Sequence, residues 1–464
     1  MDILEKANNL VWGVPTLILI IGTGIIFTVC TRLSQLQLLP RALRSLLGGL
    51  FSKKGTLENT SFRALCTALG ATVGTGNLAG VAGAIAIGGP GAIFWIWVCG
   101  FLGMVVKFAE AVLAVHYRVR GNDGAYSGGP MYVIAKGLPK RFHFLATIYS
   151  MFGVVAAFGV GNATQINALI GSVNSVRSYF GGIPIDRDNL IMGIMLAVLV
   201  VMLLSGGAKR IGKAAEALVP FASVLYILLG IGIVILKHEA IPGAFTSIMV
   251  GAFSPKAVTG GAIGSFFVVL RIGTSRGVFT HEAGMGTAGI AHADAKVRHP
   301  VQQGLMGIVE VFLDTIVICT ITAFAILCSG IGIDYGTDVG IFLTIEAFSS
   351  VYGGWITILL SAAIFCFALA TVLGWGLYGA RCAQFLFGEG VWKYFVVLQA
   401  GGVILGATMQ TGAVFMLCEI MNGLMALPNL IALNMLLPQV CRLLREYNAI
   451  YSRKSRNPLT KTGV

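Results

Sequence analysis

The chain has 464 residues, 56% of them hydrophobic and 11% charged, with a mean hydropathy of +0.86 and a formal net charge of +13. Soluble domains carry about 25% charged residues, so a soluble enzyme or nucleic-acid-binding domain is excluded and an integral membrane protein is expected. Nine scattered cysteines without a CxxC pair read as small core residues, not as disulfides or a metal site. The 62 glycines are about twice the ordinary usage of ~7%; small residues let membrane helices approach closely and permit breaks in them.

A bilayer takes about 20 apolar residues per helix. Eleven spans are predicted, at 11–30, 62–88, 91–117, 143–172, 189–205, 213–236, 257–290, 303–329, 353–385, 391–408 and 411–438. The seventh and ninth are too long for one straight helix, so each is expected to bend or to continue beyond the bilayer. The start is acidic (Asp2, Glu5) and leads into a full span, so no cleavable signal sequence is expected. Connections on one side hold 24 Lys and Arg residues and those on the other hold five. By the positive-inside rule the N-terminus lies outside and the C-terminus in the cytoplasm. The basic excess is therefore a topology signal. Anionic membrane lipid is the polyanion it meets, and no nucleic acid is expected as a partner.

With the first span set aside as an accessory helix, ten remain and divide five and five. Residues 1–60 then form the accessory helix and a cytoplasmic loop, 61–237 a first repeat, 238–440 a second and 441–464 a basic tail. Five helices per half make the halves enter the membrane from opposite sides, so the repeat is inverted. The fold class is an all-α polytopic membrane protein with two discontinuous helices. Span two carries ATVGTGNLAG (71–80) and span seven carries LRIGTSRGVFTHEAGMG (270–286), each Gly/Thr-rich in mid-span. Interruptions at matching places of two halves are the best sequence pointer to a transporter binding site.

A helix broken in mid-membrane exposes free N–H groups on one half and free carbonyls on the other. The N–H end suits a carboxylate. Carbonyls and threonine hydroxyls are hard oxygen ligands that suit a small cation. Gly74 and Gly76 leave the backbone open to a small ligand. The competing reading, glycines placed for helix packing, fits Gly22 and Gly24 of the first span, which have no counterpart in the other half.

Other motifs fail on context. Gly74-Thr75-Gly76-Asn77-Leu78-Ala79 matches a dinucleotide fingerprint, but no strand precedes it and the next acid is Glu110. His281-Glu282 begins a zinc-protease motif whose second histidine position is Met285. No enzyme activity is expected. His292 and His299 read as solvated or capping.

Charges inside spans are functional candidates. Lys107 and Glu110 share a face and neutralise each other on the simplest reading. Glu310 and Asp314 form a like-charged face that wants Arg271, Arg276 or an ion. Arg276 and Glu282 flank the second break, with gating and packing equally open. In span four Asn162 and Gln165 share a face, as substrate contact or interhelical bond. In span nine Thr371 and Trp375 lie one turn apart, either completing an ion site and a pocket wall or simply packed.

Five long segments bear a wider resemblance: ATVGTGNLAGVAGAIAIGGPGAIFWIW (71–97), GMVVKFAEAVLAVHYR (103–118), SRGVFTHEAGMGTAGIAHADA (275–295), HPVQQGLMGIVEVFLDT (299–315) and TVLGWGLYG (371–379). They resemble the alanine or glycine:cation symporter family, and the likeness runs over nearly the whole chain. The resemblance implies a LeuT-type five-plus-five inverted repeat behind one extra helix, in a bacterial or archaeal cytoplasmic membrane. It implies sodium-driven uptake of small neutral amino acids, alanine and glycine foremost, by a monomer. Carried over by motif, the substrate sits on Thr75, Gly76 and Asn77, with Gln165 and Trp375 enclosing it and Gly273 and Thr274 opposite. Sodium ion is held by the Gly70 and Val73 carbonyls and the Thr371 hydroxyl. Departures from the family pattern are Thr280-His281 where Ser-Asn is usual, Gly289 for a proline and His116 for a lysine. Rival readings are a proton-coupled or glutamine- or serine-preferring symporter of the same fold and, from another class, an ion channel.

Overall fold

The computed structural model describes residues 2–53, 55–121, 126–183, 185–261, 263, 265–337, 340–408 and 412–456. Lys54, Lys461 and the side chains of Arg453, Lys454 and Arg456, all counted in the predicted basic segments, lie outside this description.

The chain is mostly helical. It runs α1 (Asp2–Val11), α2 (Val14–Cys30), α3 (Ser34–Leu50), α4 (Leu57–Thr72), α5 (Val81–Gly88) and α6 (Ala92–Tyr117). A two-stranded ribbon, β1 (Val119–Arg120) with β2 (Tyr126–Ser127), precedes α7 (Pro130–Gly137), α8 (Phe144–Phe158), α9 (Thr164–Tyr179), α10 (Asp186–Leu204) and α11 (Gly207–Leu236). Then come α12 (Ile241–Phe253), α13 (Pro255–Val258), α14 (Phe266–His281), α15 (Thr287–His292), α16 (Pro300–Val311) and α17 (Thr320–Cys328). Last are α18 (Ile341–Tyr352), α19 (Ile356–Phe387), α20 (Trp392–Thr408) and α21 (Gly412–Arg456).

Among the described residues nine helical stretches are long and apolar enough to cross a membrane, or ten when the bent pair α4–α5 is one span. They fall on ten of the eleven predicted spans. The remaining one, 257–290, is divided: α14 has 16 residues, α15 has six, and five residues of irregular backbone separate them. The break itself removes that span from a count based on length. The other overlong span is one unbroken helix, α19, of 32 residues.

Burial sorts the helices. α6 is 83% and α19 78% buried over their most apolar windows, against 28% for α10 and α11. Outer helices present Met195, Phe221, Leu228 and Leu236 to the surroundings, a surface suited to lipid and costly in water. α6 packs on α14 and α16, while α19 packs on α8, α9, α11 and α4. Together α6 and α19 hold both interrupted helices between them.

Close helix approach is purchased with glycine. Gly91, just before α6, lies against Gly251 of α12 so tightly that a Cβ there would overlap the Gly251 backbone. Gly91→Ala should lower the melting temperature in detergent by an amount equivalent to about 1–3 kcal/mol, the usual cost of overpacking. Unchanged thermal stability would contradict this contact.

Candidate substrate and ion site

The first interruption lies where it is predicted. α4 ends as Val73 turns extended, with φ −76° and ψ 95°. The chain then passes through Gly74 and Thr75 into a wide π-helical turn, Gly76–Gly80, and α5 departs with a 50° bend. Such turns recur at functional sites.

Neutral side chains answer the freed backbone groups. Asn77 Oδ1 accepts the Gly74 N–H at 3.1 Å. Gln165 Oε1 accepts both the Thr75 N–H at 3.2 Å and the Thr75 hydroxyl at 2.8 Å. Thr371 Oγ1 donates to the Gly70 carbonyl at 2.9 Å. A Cβ on Gly74 would stand 2.6 Å from Thr371 Oγ1 and 3.1 Å from Gln165 Oε1, so only glycine fits between them. Thr75, Asn77, Gln165, Thr371 and Val73 are all at least nine-tenths buried. Thr75, Gly76, Asn77 and Gln165 are thus in one place with Gly70, Val73 and Thr371 beside them.

The amide of Asn77 continues away from the break. Its Nδ2 donates to Asp314 Oδ1 at 2.7 Å and to the Asp314 carbonyl at 3.1 Å. Asp314 also accepts from the Thr315 hydroxyl at 2.8 Å. Asp314 therefore holds Asn77 and does not pair with Arg271 or Arg276. Arg271 donates to Asn9 and Arg276 pairs with Glu419 at 3.0 Å. Asn162 bonds Gln399 across helices.

The second interruption falls at the C-terminal end of the predicted stretch 270–286, beyond Gly273 and Thr274. α14 runs unbroken through Gly273 and Thr274. Gly273 is a packing glycine there, since a Cβ would press on the Ala92 carbonyl and Trp95. The chain breaks at Glu282, Gly284 and Gly286, with φ of +52°, +96° and +78°. Left-handed backbone at a non-glycine costs of the order of 1 kcal/mol, and several contacts hold Glu282 in it. Trp375 Nε1 donates to its Oε1 at 2.9 Å, and its Oε2 is hydrogen-bonded to the Thr287 hydroxyl at 2.5 Å. Trp375 is thus joined to the second break, its ring lying where any side chain on Gly161 would be.

Glu110, expected to neutralise Lys107, instead caps this break. Its Oε1 accepts the Gly284 N–H at 2.8 Å, the Gly286 N–H at 3.0 Å and Asn429 Nδ2 at 2.8 Å. Lys107 reaches Glu310 on another helix at 3.2 Å. His292 is neither solvated nor capping; it is fully buried and bonded to Glu310 and Gln303. His299 does cap α16. His281 accepts the Ala283 N–H at Nδ1, 2.9 Å, which fixes a neutral ring. The Glu110 cap, the Asn77–Asp314 bond and the Trp375–Glu282 bond are non-local, so no spacing in the sequence announces them.

A model of the sodium:alanine symporter family matches residues 1–461. The chain belongs to that family. It is similar to the sodium/alanine symporter AgcS of Methanococcus maripaludis, 39% identical over 463 residues covering 98% of this chain and 99% of that protein. An uncharacterised transporter of Haemophilus influenzae is 41% identical over 437 residues, 93% of this chain and 92% of that one. The probable sodium/glutamine symporter GlnT of Bacillus subtilis is 35% identical over 451 residues, 96% and 90% of the two chains. In fold the symporter resembles MhsT in complex with L-phenylalanine, with TM-score 0.57 and 14% identity over 82% of this chain and 97% of that one. That is a LeuT-like helical architecture. A symporter family is a transporter family and not an enzyme class, and the apolar helices make this symporter a multi-pass membrane protein.

Removing the Glu110 carboxylate would leave three buried donors unpaired. Glu110→Ala should destabilise the symporter by about 3 kcal/mol or more. Glu110→Gln, which keeps one acceptor oxygen, should recover part of the loss. Equal melting temperatures for Glu110→Ala and wild type would refute the capping role.

Proposed function

We propose that the chain is a secondary active transporter that couples sodium-ion entry to uptake of small neutral amino acids, alanine and glycine foremost. One observation carries this reading. At a single 50° break the Thr75 N–H, held by Gln165 Oε1, and the Thr371 hydroxyl, bonded to the Gly70 carbonyl, meet across Gly74. The N–H side suits an amino-acid carboxylate and the oxygen side suits Na⁺. In the conformation described here Gln165 Oε1 fills the place of a carboxylate oxygen, accepting the Thr75 N–H and hydroxyl. An arriving amino acid takes over those donors and turns the Gln165 amide toward the substrate.

Sodium ion sits on the carbonyls of Gly70 and Val73 and on Thr371 Oγ1, whose proton then turns away from Gly70. Both ligands brace the same break, so each favours the backbone geometry that the other needs, which is the basis of coupling. The Phe279 ring stands 3.3 Å from where a Cβ on Gly76 would be. That crowding favours a small side chain over glutamine. Trp375 closes the site from the second break, and α14, which carries Gly273 and Thr274, lies opposite and turns Phe279 toward the first break.

The larger frame follows the same reading. Eleven spans comprise an accessory helix in 1–60 and two inverted repeats, 61–237 and 238–440, followed by the basic tail 441–464. The monomer lies in a prokaryotic cytoplasmic membrane with its N-terminus outside, and the repeats rock about the fixed site.

Labelled alanine uptake into proteoliposomes tests the function. Uptake should follow an imposed Na⁺ gradient, fall to background in Asn77→Ala, and need at least tenfold more Na⁺ in Thr371→Ala. Uptake driven by an H⁺ gradient alone, indifferent to Na⁺, would contradict the ion assignment.

A further inference from the structure

Next to the substrate site stands a group of buried charges that symport of a neutral amino acid with Na⁺ does not use. Lys107, Glu110, Glu282 and Glu310 are each 3% exposed or less. His292 adds no charge. Gln303 Oε1 accepts from the Ser61 hydroxyl at 2.6 Å, which turns Gln303 Nε2 toward His292 Nδ1 at 2.7 Å. With Nδ1 accepting, His292 is neutral and donates from Nε2 to Glu310 Oε2 at 2.8 Å. His281 is neutral for the reason given above. Fully ionised, the group holds three negative charges against one positive. Uncompensated charge costs several kcal/mol in such surroundings.

The hydrogen bonds narrow the carboxyls that can carry a proton. A protonated carboxyl needs an acceptor for its hydrogen. Glu310 faces the Lys107 ammonium and the His292 N–H, both donors. Glu110 Oε1 faces three N–H donors, and Oε2 has no hydrogen-bond partner among the described residues. Glu282 differs. Its Oε2 lies 2.5 Å from the Thr287 hydroxyl, which accepts as readily as it donates. Its Oε1 holds Trp375 Nε1. Lys107 and Glu310 act on Glu282 electrostatically from α6 and α16, and the Tyr378 and Tyr149 hydroxyls are within the same range from α19 and α8. Asp314 interacts electrostatically with Lys107 and Glu310, and its Oδ2 also meets a hydroxyl, Thr315 Oγ1 at 2.8 Å. Its Oδ1, however, holds Asn77 at the first break, whereas Glu282 holds Trp375.

We propose that Glu282 is a proton-binding site of the symporter, loaded in the conformation described here, and that retention of the amino acid behind Trp375 requires its proton. The proton sits on Oε2 and is donated to Thr287 Oγ1, leaving Oε1 to accept from Trp375. When it leaves, the group passes from one uncompensated negative charge to two, beside the residue that closes the substrate site. This inference rests on the reading of Trp375 as a wall of that site.

The test is alanine binding to the purified protein in nanodiscs, by calorimetry at saturating Na⁺, from pH 5.5 to 9.5. Wild-type affinity should be level at acid pH and then weaken by about tenfold per pH unit, the slope of one linked proton. Glu282→Gln accepts from Trp375 and donates to Thr287 as the protonated residue does, so it should bind with the acid-limit affinity at every pH. A level wild-type profile, or a slope retained in Glu282→Gln, overturns the proposal. Should Glu282→Gln not fold, a pH indicator in weakly buffered wild type decides: alanine added at alkaline pH should draw protons from solution, and no uptake overturns the proposal. Absence of alanine binding at any pH would instead overturn the substrate reading, and this inference with it.

Discussion

In hydrocarbon every backbone N–H and C=O must find a partner, because no water is present to supply one. This chain interrupts two helices inside its core, and the rest of the structure is organised by how the freed groups are answered. At the first break the partners are neutral: the amides of Gln165 and Asn77 and the hydroxyl of Thr371. At the second the partner is a carboxylate of the protein itself, Glu110, taking two backbone N–H groups and the Asn429 amide. A neutral amide yields to an incoming carboxylate at small cost. A charged group with three donors does not. The two breaks, similar in composition, therefore suit different roles, one exchangeable and one fixed.

Helix packing makes these partnerships possible. α6 supplies Lys107 and Glu110, and α19 supplies Thr371 and Trp375, one turn apart. Thr371 reaches the first break and Trp375 the second, so α19 joins them directly. Glycines set the distances: Gly74 lies between Thr371 and Gln165, and Gly161 makes room for Trp375. One rigid helix thus bonds directly to both breaks.

Much of this was legible in the sequence, for identifiable reasons. The run 71–80 mixes glycine, threonine and asparagine where apolar residues would be cheaper, and the break is there. At the second break the glycines of 270–286 divide between two roles. Gly273 serves close packing on Ala92 and Trp95, while the turn belongs to Glu282, Gly284 and Gly286. Glycine for packing and glycine for positive φ look alike in a sequence. Spacing also suggested that Lys107 and Glu110 pair, because they are three apart on one helix. Their actual partners lie on other elements, and local spacing carries no information about those. His281 stood out as a titratable departure from the family pattern, yet it is held neutral as an acceptor of the Ala283 N–H.

The central claim is that the first break is the amino-acid site and that Gln165 holds its place when the site is empty. A cryo-electron microscopy map of the protein in nanodiscs with saturating alanine and Na⁺ tests it most directly. Density for the alanine carboxylate at the Thr75 and Gly76 N–H groups, with Gln165 Oε1 moved off Thr75, is the predicted result. Alanine density elsewhere, or a Gln165–Thr75 contact unchanged beside bound alanine, would contradict it.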